Sequence, residues 1–376
     1  MQQRATRRTF LRTATLATAL APSISTWLTE SAKAATTGPV RLAIVGAGNQ
    51  GQYYLRQVVS RSDVYISAIC DSDPEAIRQA LSLFDALGKP HPAICSSDES
   101  AVEQLFQQTN IDGVLLAAAA NQQVPLAIQA MQAGKYVGMA VVAPISVGQS
   151  WALVHAHERT QTPLILLEST CYLPENMAVL TQIRQGAFGE ITHARSGYQQ
   201  GRSGSTPYPT HGLGPVAQWL SINRGNQFVS LSSTINKSRG LVRVAAEKGV
   251  SSLSGTTYTL GEVITTTILC ASGATVELIH EGEATRPYAP GFRVQGTQKQ
   301  WMGAHETSAD AQASANALLV HDFVRGVQSK ATPAIDVYDA AVWSCVPYLA
   351  MESLANGGQP IAIPDFTKGK WQTALV

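Results

Sequence analysis

A tyrosine and a histidine stand three positions apart in Tyr208-Pro209-Thr210-His211-Gly212-Leu213-Gly214-Pro215, just ahead of the apolar run Val216-Ala217-Gln218-Trp219-Leu220. An imidazole titrates near neutral pH and can take or return a proton at a substrate hydroxyl. A neighbouring phenol can relay such a proton or orient a polar ring. Pro215 reads as the first residue of the following helix, where a missing N–H costs little. A plainer reading stays open, in which Tyr208 packs at a domain junction and His211 caps the helix.

A second constellation lies near the start. Val40-Arg41-Leu42-Ala43-Ile44-Val45 reads as a buried strand and runs directly into Gly46-x-Gly48-Asn49-Gln50-Gly51. A stretch with helical spacing follows, then a second apolar run that ends at Asp71, twenty residues beyond Gly51. Strand, glycine turn, helix and a distant acid together form a dinucleotide-binding fingerprint. Gly46 makes the tight turn, Gly48 lets backbone approach a pyrophosphate, and Gly51 lets helix and strand pack closely. Asn49 and Gln50 open the helix, whose first amides favour an anion. Asp71 would accept hydrogen bonds from a ribose and repel a 2′-phosphate, so the expected cofactor is NAD. The alternative is a chance glycine turn in another α/β sheet.

The elements that must position these groups follow two grammars. To about residue 168, strands alternate with helices: Gly113–Ala120, Tyr136–Pro144 and Pro163–Ser169 read as strands, with helices at Pro125–Gly134 and Ser150–Thr160. That alternation predicts a doubly wound parallel sheet, a Rossmann domain over 38–168. His155 and His157, two apart on one helix, read as surface residues. Beyond Glu168 come β-rich stretches with Ser, Thr and aromatic alternation, and then two long helices. They predict an α+β domain over 169–376 with a large, open, mainly antiparallel sheet.

The whole chain has 376 residues, 45% hydrophobic and 14% charged, with a formal net charge of +1. No basic run suits a nucleic-acid partner. Five cysteines without a CxxC pair argue against a disulfide framework or zinc ribbon, and they are expected to be unpaired; no metal site is expected. Arg7-Arg8-Thr9-Phe10-Leu11, a short apolar stretch and Ala32-Lys33-Ala34 read as a twin-arginine signal peptide over 1–34 rather than a stable membrane span. The expected location is the periplasm or an equivalent extracytoplasmic compartment. The open sheet predicts a homo-oligomer.

The order of parts resembles the Gfo/Idh/MocA oxidoreductase family. Several segments are similar to one branch, the NAD-dependent glycosidases of glycoside hydrolase family 109, known as α-N-acetylgalactosaminidases. They are Cys171-Tyr172, Tyr208–Gln218 with Ile222–Gly225, Arg286–Tyr288, Asp336–Ser344 and Pro364–Trp371. The resemblance implies that Tyr208 and His211 line a sugar pocket beside the nicotinamide, with Tyr172, Tyr288 and Arg224 near the substrate. It also implies that Asn121 and Gln122 contact the nicotinamide ribose. The implied chemistry is redox-neutral: oxidation of a sugar hydroxyl at C3, elimination of the C1 substituent, addition of water and return of the hydride. His211 would then be the base at the C3 hydroxyl, and Tyr172 or Tyr208 would handle the C2 proton or orient the ring. Such a cycle needs no exchange of NAD with a free pool, which suits an exported enzyme. The pattern breaks at Ala140, where the branch carries Glu, and no lysine stands there either. Two alternatives therefore stay open: a sugar oxidoreductase that holds its NAD(P), and a nucleotide- or sugar-binding protein with impaired catalysis.

Overall fold

A computed structural model of the chain describes residues 38–96, 98–141, 144–199, 209–236, 263–281, 291–303 and 307–373. The signal-peptide reading over 1–34 lies outside these residues, as do Tyr208 and Tyr288.

Six parallel strands form the first sheet: β1 (Val40–Val45), β2 (Val64–Cys70), β3 (Ala93–Cys95), β4 (Gly113–Leu116), β5 (Tyr136–Ala140) and β6 (Leu164–Leu167). Their order is β3-β2-β1-β4-β5-β6. Between them run α1 (Asn49–Val58), α2 (Pro74–Ala86), α3 (Glu99–Phe106), α4 (Ala120–Gln132) and α5 (Val147–Thr160). Strands β4, β5 and β6 are buried at every position, as a sheet covered on both faces requires. Helix starts are fixed locally. Asp73 accepts the Glu75 N–H, Asp98 accepts the Ala101 N–H, and Ser146 with Gln149 forms a reciprocal capping box.

Strand order reverses between β1 and β4, the place where an open α/β sheet leaves a crevice at the carboxyl ends of its strands. The expected strand through Ala120 is shorter than its sequence suggested. It stops at Leu116, and α4 begins at Ala120, so Asn121 and Gln122 belong to the first helical turn. Ala117, Ala118 and Ala119 form the connection between the two and belong to neither element.

The second sheet contains β7 (Ile191–Gln199), β8 (Phe228–Ile235), β9 (Val263–Cys270), β10 (Thr275–Glu281), β11 (Arg293–Gly296), β12 (Gln300–Met302) and β13 (Ile361–Ala362). Its order is β12-β11-β7-β10-β9-β8-β13, antiparallel throughout except where β10 lies parallel to β7. One face carries Ala194, Val276, Leu278, Ile268 and Val294, all buried. The opposite face carries Arg195 and Glu277, which are ion-paired, with Leu269 and Met302 exposed. The joining elements are a 3-10 turn (Ser169–Tyr172), α6 (Pro174–Arg184) and α7 (Pro209–Trp219).

Two late helices, α8 (Ala309–Ser329) and α9 (Val337–Ala355), bind the two sheets together. Phe323 of α8 lies over Gly138, and Val327 over Gly113, where any side chain on the strand would collide with them. From α9, the Ala341 and Ser344 carbonyls accept bonds from Ser150 Oγ and the Ile145 N–H. The same helix packs on β8 of the second sheet.

The cysteine expectation needs correcting. Cys70 and Cys95 end β2 and β3 at directly opposed positions, with Cα atoms 4.7 Å apart, and they form a disulfide. Their spacing of 25 residues carries no local sign of this, because the pairing depends on which strands become neighbours. Cys171, Cys270 and Cys345 are buried thiols. Among the described residues no helix is long and apolar enough to cross a membrane, and no cluster of His, Cys, Asp or Glu could hold a metal.

Candidate active site

The carboxyl edge of the first sheet gathers the expected nucleotide groups. Gly46 follows β1 with φ +94°, and a side chain there would meet the Ala117 carbonyl. At Gly51 a side chain would strike the Gly46 carbonyl, so α1 packs this closely on the turn only because residue 51 has none. Gly48 differs: a side chain there would point into open space. Neither a side-chain cap nor an acidic residue occupies the start of α1, where Asn49 is exposed and Gln50 half-buried. Open space above uncapped amides is the cradle a pyrophosphate needs. Asp71 Oδ2 accepts the Ala47 N–H at 2.5 Å, and Oδ1 accepts the Asp73 N–H at 2.9 Å. The carboxylate is thus held at the lip of the cradle, placed for a ribose. Asn121 and Gln122 are exposed on the first turn of α4, beyond the end of β4. These residues fit NAD.

His211 enters this edge from the second half of the chain. Helix α7 begins at Pro209, so His211 is its third residue, and Pro215 lies in the helix interior rather than at its start. That corrects the sequence reading and has a consequence. A proline at 215 offers no N–H to the His211 carbonyl one turn earlier. The Thr170 hydroxyl stands 3.0 Å from that carbonyl and 2.7 Å from Glu168 Oε1, close enough to serve either acceptor.

Glu168 closes the group. It follows β6, is fully buried, and receives His211 Nδ1 at 2.8 Å on Oε1 and 2.9 Å on Oε2. Thr210 Oγ1 donates to Oε2 at 2.6 Å, and the Thr170 N–H donates to Oε1 at 3.1 Å. A buried carboxylate is tolerated only with such a full set of donors. Gly214 makes room for it, since a side chain there would press on Cys171 Sγ, Glu168 Cγ and the Trp343 ring.

Burial alone would push the Glu168 carboxyl up, yet the charge and hydrogen bonds of His211, with those of Thr210 and Thr170, bring it below the ordinary carboxylate range. Burial likewise pushes His211 down, and the Glu168 charge and bond more than reverse that, leaving the imidazole above its ordinary value. The His211 side chain keeps about a third of its surface exposed. The result is a carboxylate–imidazole pair with Nδ1 committed to Glu168.

Other expected site residues are placed differently. Tyr172 ends the 3-10 turn with its hydroxyl enclosed against the Asp322 carboxylate of α8. Burial first, and then Asp322, pushes that phenol well above its ordinary value. Arg224 lies in the loop after α7 and is ion-paired. It donates to Asp336 at 2.9 Å and to Asp339 at 2.7 Å, at the start of α9. Ala140, at the end of β5, is fully buried beside Leu167 of β6, one strand from Glu168. Reasoning from sequence missed Glu168, Thr170 and Thr210 as partners of His211. The one available signal was an acidic residue at the carboxyl end of a buried strand.

Comparison with known proteins shows the family and the fold. Residues 40–164 match the family profile described as an oxidoreductase family with an NAD-binding Rossmann fold. Residues 200–316 and 304–373 match the C-terminal domain of glycosyl hydrolase 109. A glycosyl hydrolase family 109 protein of Stenotrophomonas maltophilia is 33% identical over 95% of both chains. An alpha-N-acetylgalactosaminidase of Tannerella forsythia is 31% identical over 89% of this chain and 87% of its own. Among solved structures, scyllo-inositol dehydrogenase from Lactobacillus casei with bound NAD(H) and scyllo-inositol shares the fold. Its TM-score is 0.68 at 14% identity, over 86% of this chain and 99% of that one. The chain is an enzyme of the Gfo/Idh/MocA oxidoreductase fold and belongs to glycosyl hydrolase family 109.

Proposed function

We propose that this protein cleaves a glycoside in a redox-neutral cycle that depends on tightly held NAD, with His211 as the base at the sugar hydroxyl that is oxidised. The observation that carries this reading is the Glu168–His211 pair at the carboxyl edge of the first sheet. Bound NAD would supply the hydride acceptor and, later in the cycle, the donor. The protein's own part is proton handling and placement. Glu168 holds the Nδ1 proton of His211, which keeps Nε2 basic in the neutral imidazole and stabilises the imidazolium once a hydroxyl proton arrives. The cradle at Gly46–Gly51 and Asp71 would fix the nucleotide, with Asn121 and Gln122 toward its nicotinamide ribose. Tyr208 and Tyr288 remain proposed pocket residues by resemblance. Twin-arginine export over 1–34 is consistent with a folded, preloaded enzyme, and Leu269 and Met302 on the open face of the second sheet favour self-association.

A second reading is favoured by Ala140. The branch's carboxylate is missing from this buried position, which points to a sugar oxidoreductase or a binding protein. One experiment separates them: the mature chain with NAD⁺ and a panel of aryl α- and β-hexosaminides and hexosides in heavy water. Release of the aryl group with deuterium at C2 of the sugar is the expected result, and His211→Ala should slow it by a factor of about 10² to 10⁴. NAD retained with no release from any glycoside would move the assignment to the second reading.

A further inference from the structure

The disulfide stands where the nucleotide would be held. Cys70 is the last residue of β2, and Asp71 comes next. The Cys70 carbonyl accepts the Gly46 N–H at 2.8 Å, while the Asp71 carboxylate accepts the Ala47 N–H. The first two residues of the glycine turn are therefore tied to this one point on β2. On the other side, the Asp71 N–H donates to the Cys95 carbonyl at 3.3 Å, the last rung between β2 and β3. Strand β3 is a weak support by itself. It has three residues, sits at the edge of the sheet, and pairs with β2 at three positions only. Short edge strands with few rungs open locally at low cost. A covalent link at the final rung removes that freedom where Asp71 depends on it.

We propose that the Cys70–Cys95 bond is a lock on the ribose side of the nucleotide site, closed by oxidation and slowing the release of bound NAD. The lock presupposes the NAD-dependent function proposed above and export to an oxidising compartment. In a reducing cytoplasm the two thiols are separate, β3 can fray, and the nucleotide can be loaded. After export, a disulfide oxidant takes two electrons from the pair. One S–S bond forms, two protons leave, and the oxidant's own disulfide is reduced to two thiols. Cys95 is only half-buried, so exchange can begin there, whereas Cys171, Cys270 and Cys345 are buried. An enzyme without a free NAD pool around it gains directly from a slower loss of cofactor.

The test uses the purified full chain and NADH as a fluorescent probe. Release is timed after equilibration with either oxidised glutathione or a phosphine reductant, and the state of the pair is read by alkylation and mass spectrometry. The oxidised protein should release NADH about tenfold more slowly, the scale of one charge-assisted hydrogen bond weakened. Cys95→Ser should release at the reduced rate in both conditions, with thermal unfolding confirming that it is folded. If that variant fails to fold, reduction of the native chain carries the test. Equal release rates from verified oxidised and reduced protein would overturn the lock. NADH binding in neither state would overturn the cofactor assignment along with it.

Discussion

The nucleotide cradle is made of backbone, whereas the His211 corner is made of side chains drawn from places far apart in the chain. In the cradle, three glycines at fixed spacing leave room for other atoms, and one acid twenty residues on steadies the turn. At the corner, Glu168 and His211 are 43 positions apart and belong to different elements, and each is costly to bury without the other. A site of the first kind depends on what is missing from a short stretch of chain. A site of the second kind depends on every partner arriving, so it should fail more abruptly when one is removed.

Removing one partner at the corner tests that contrast at its strongest. Glu168→Ala leaves His211, Thr210 and Thr170 facing a buried void and should cost about 3–5 kcal/mol of stability, read as a lowered urea midpoint. A loss under 1 kcal/mol would mean the corner is as forgiving as the cradle. In the cradle, Gly51→Ala forces a methyl group against the Gly46 carbonyl and should cost about 1–3 kcal/mol. Nucleotide affinity should fall with it, while Glu168 and His211 stay paired.

The mildest change sharpens the contrast through pH. Because the Glu168 charge holds His211 above its ordinary value, the rising limb of kcat/KM should move to lower pH in Glu168→Gln. The stability linkage has two edges. The share due to imidazolium is complete below histidine's ordinary range and fades as pH rises through the raised value of His211. The share due to Glu168 is complete above the ordinary carboxylate range and is lost as pH falls through its lowered value. An unmoved limb in Glu168→Gln would show that another group sets the titration.

These two regions also differ in how far they could be read from sequence. The cradle was legible because its requirements are local: a strand, a turn needing positive φ at Gly46, and a helix start, all within about a dozen residues. The β-rich character of the second sheet was legible for a similar reason, since the alternation along its strands is local. Glu168 was visible only as the end of a strand, because its role depends on α7 arriving from across the fold. Pro215 was misplaced because the run from Tyr208 reads as a loop, with two prolines and two glycines. Its glycines instead permit close packing, at Gly212 against the Gly197 carbonyl and at Gly214 against Cys171 and Glu168. Cys70 and Cys95 went unpaired because adjacency in a parallel sheet follows strand order, which local composition does not encode.

The covering of the first sheet by α8 and α9 bears on how the molecule is made. A ribosome delivers β1 through β6 long before residues 309–355, yet the groove over Gly113 and Gly138 is filled only when Val327 and Phe323 arrive. Until then the nascent nucleotide-binding unit carries an open apolar face and needs shielding from other chains. Its completion waits for α8, so a product cut short before that helix is marked by exposed strand surface rather than passing as a finished domain. The late helices α8 and α9 thereby report that the first sheet, and everything between, has been made.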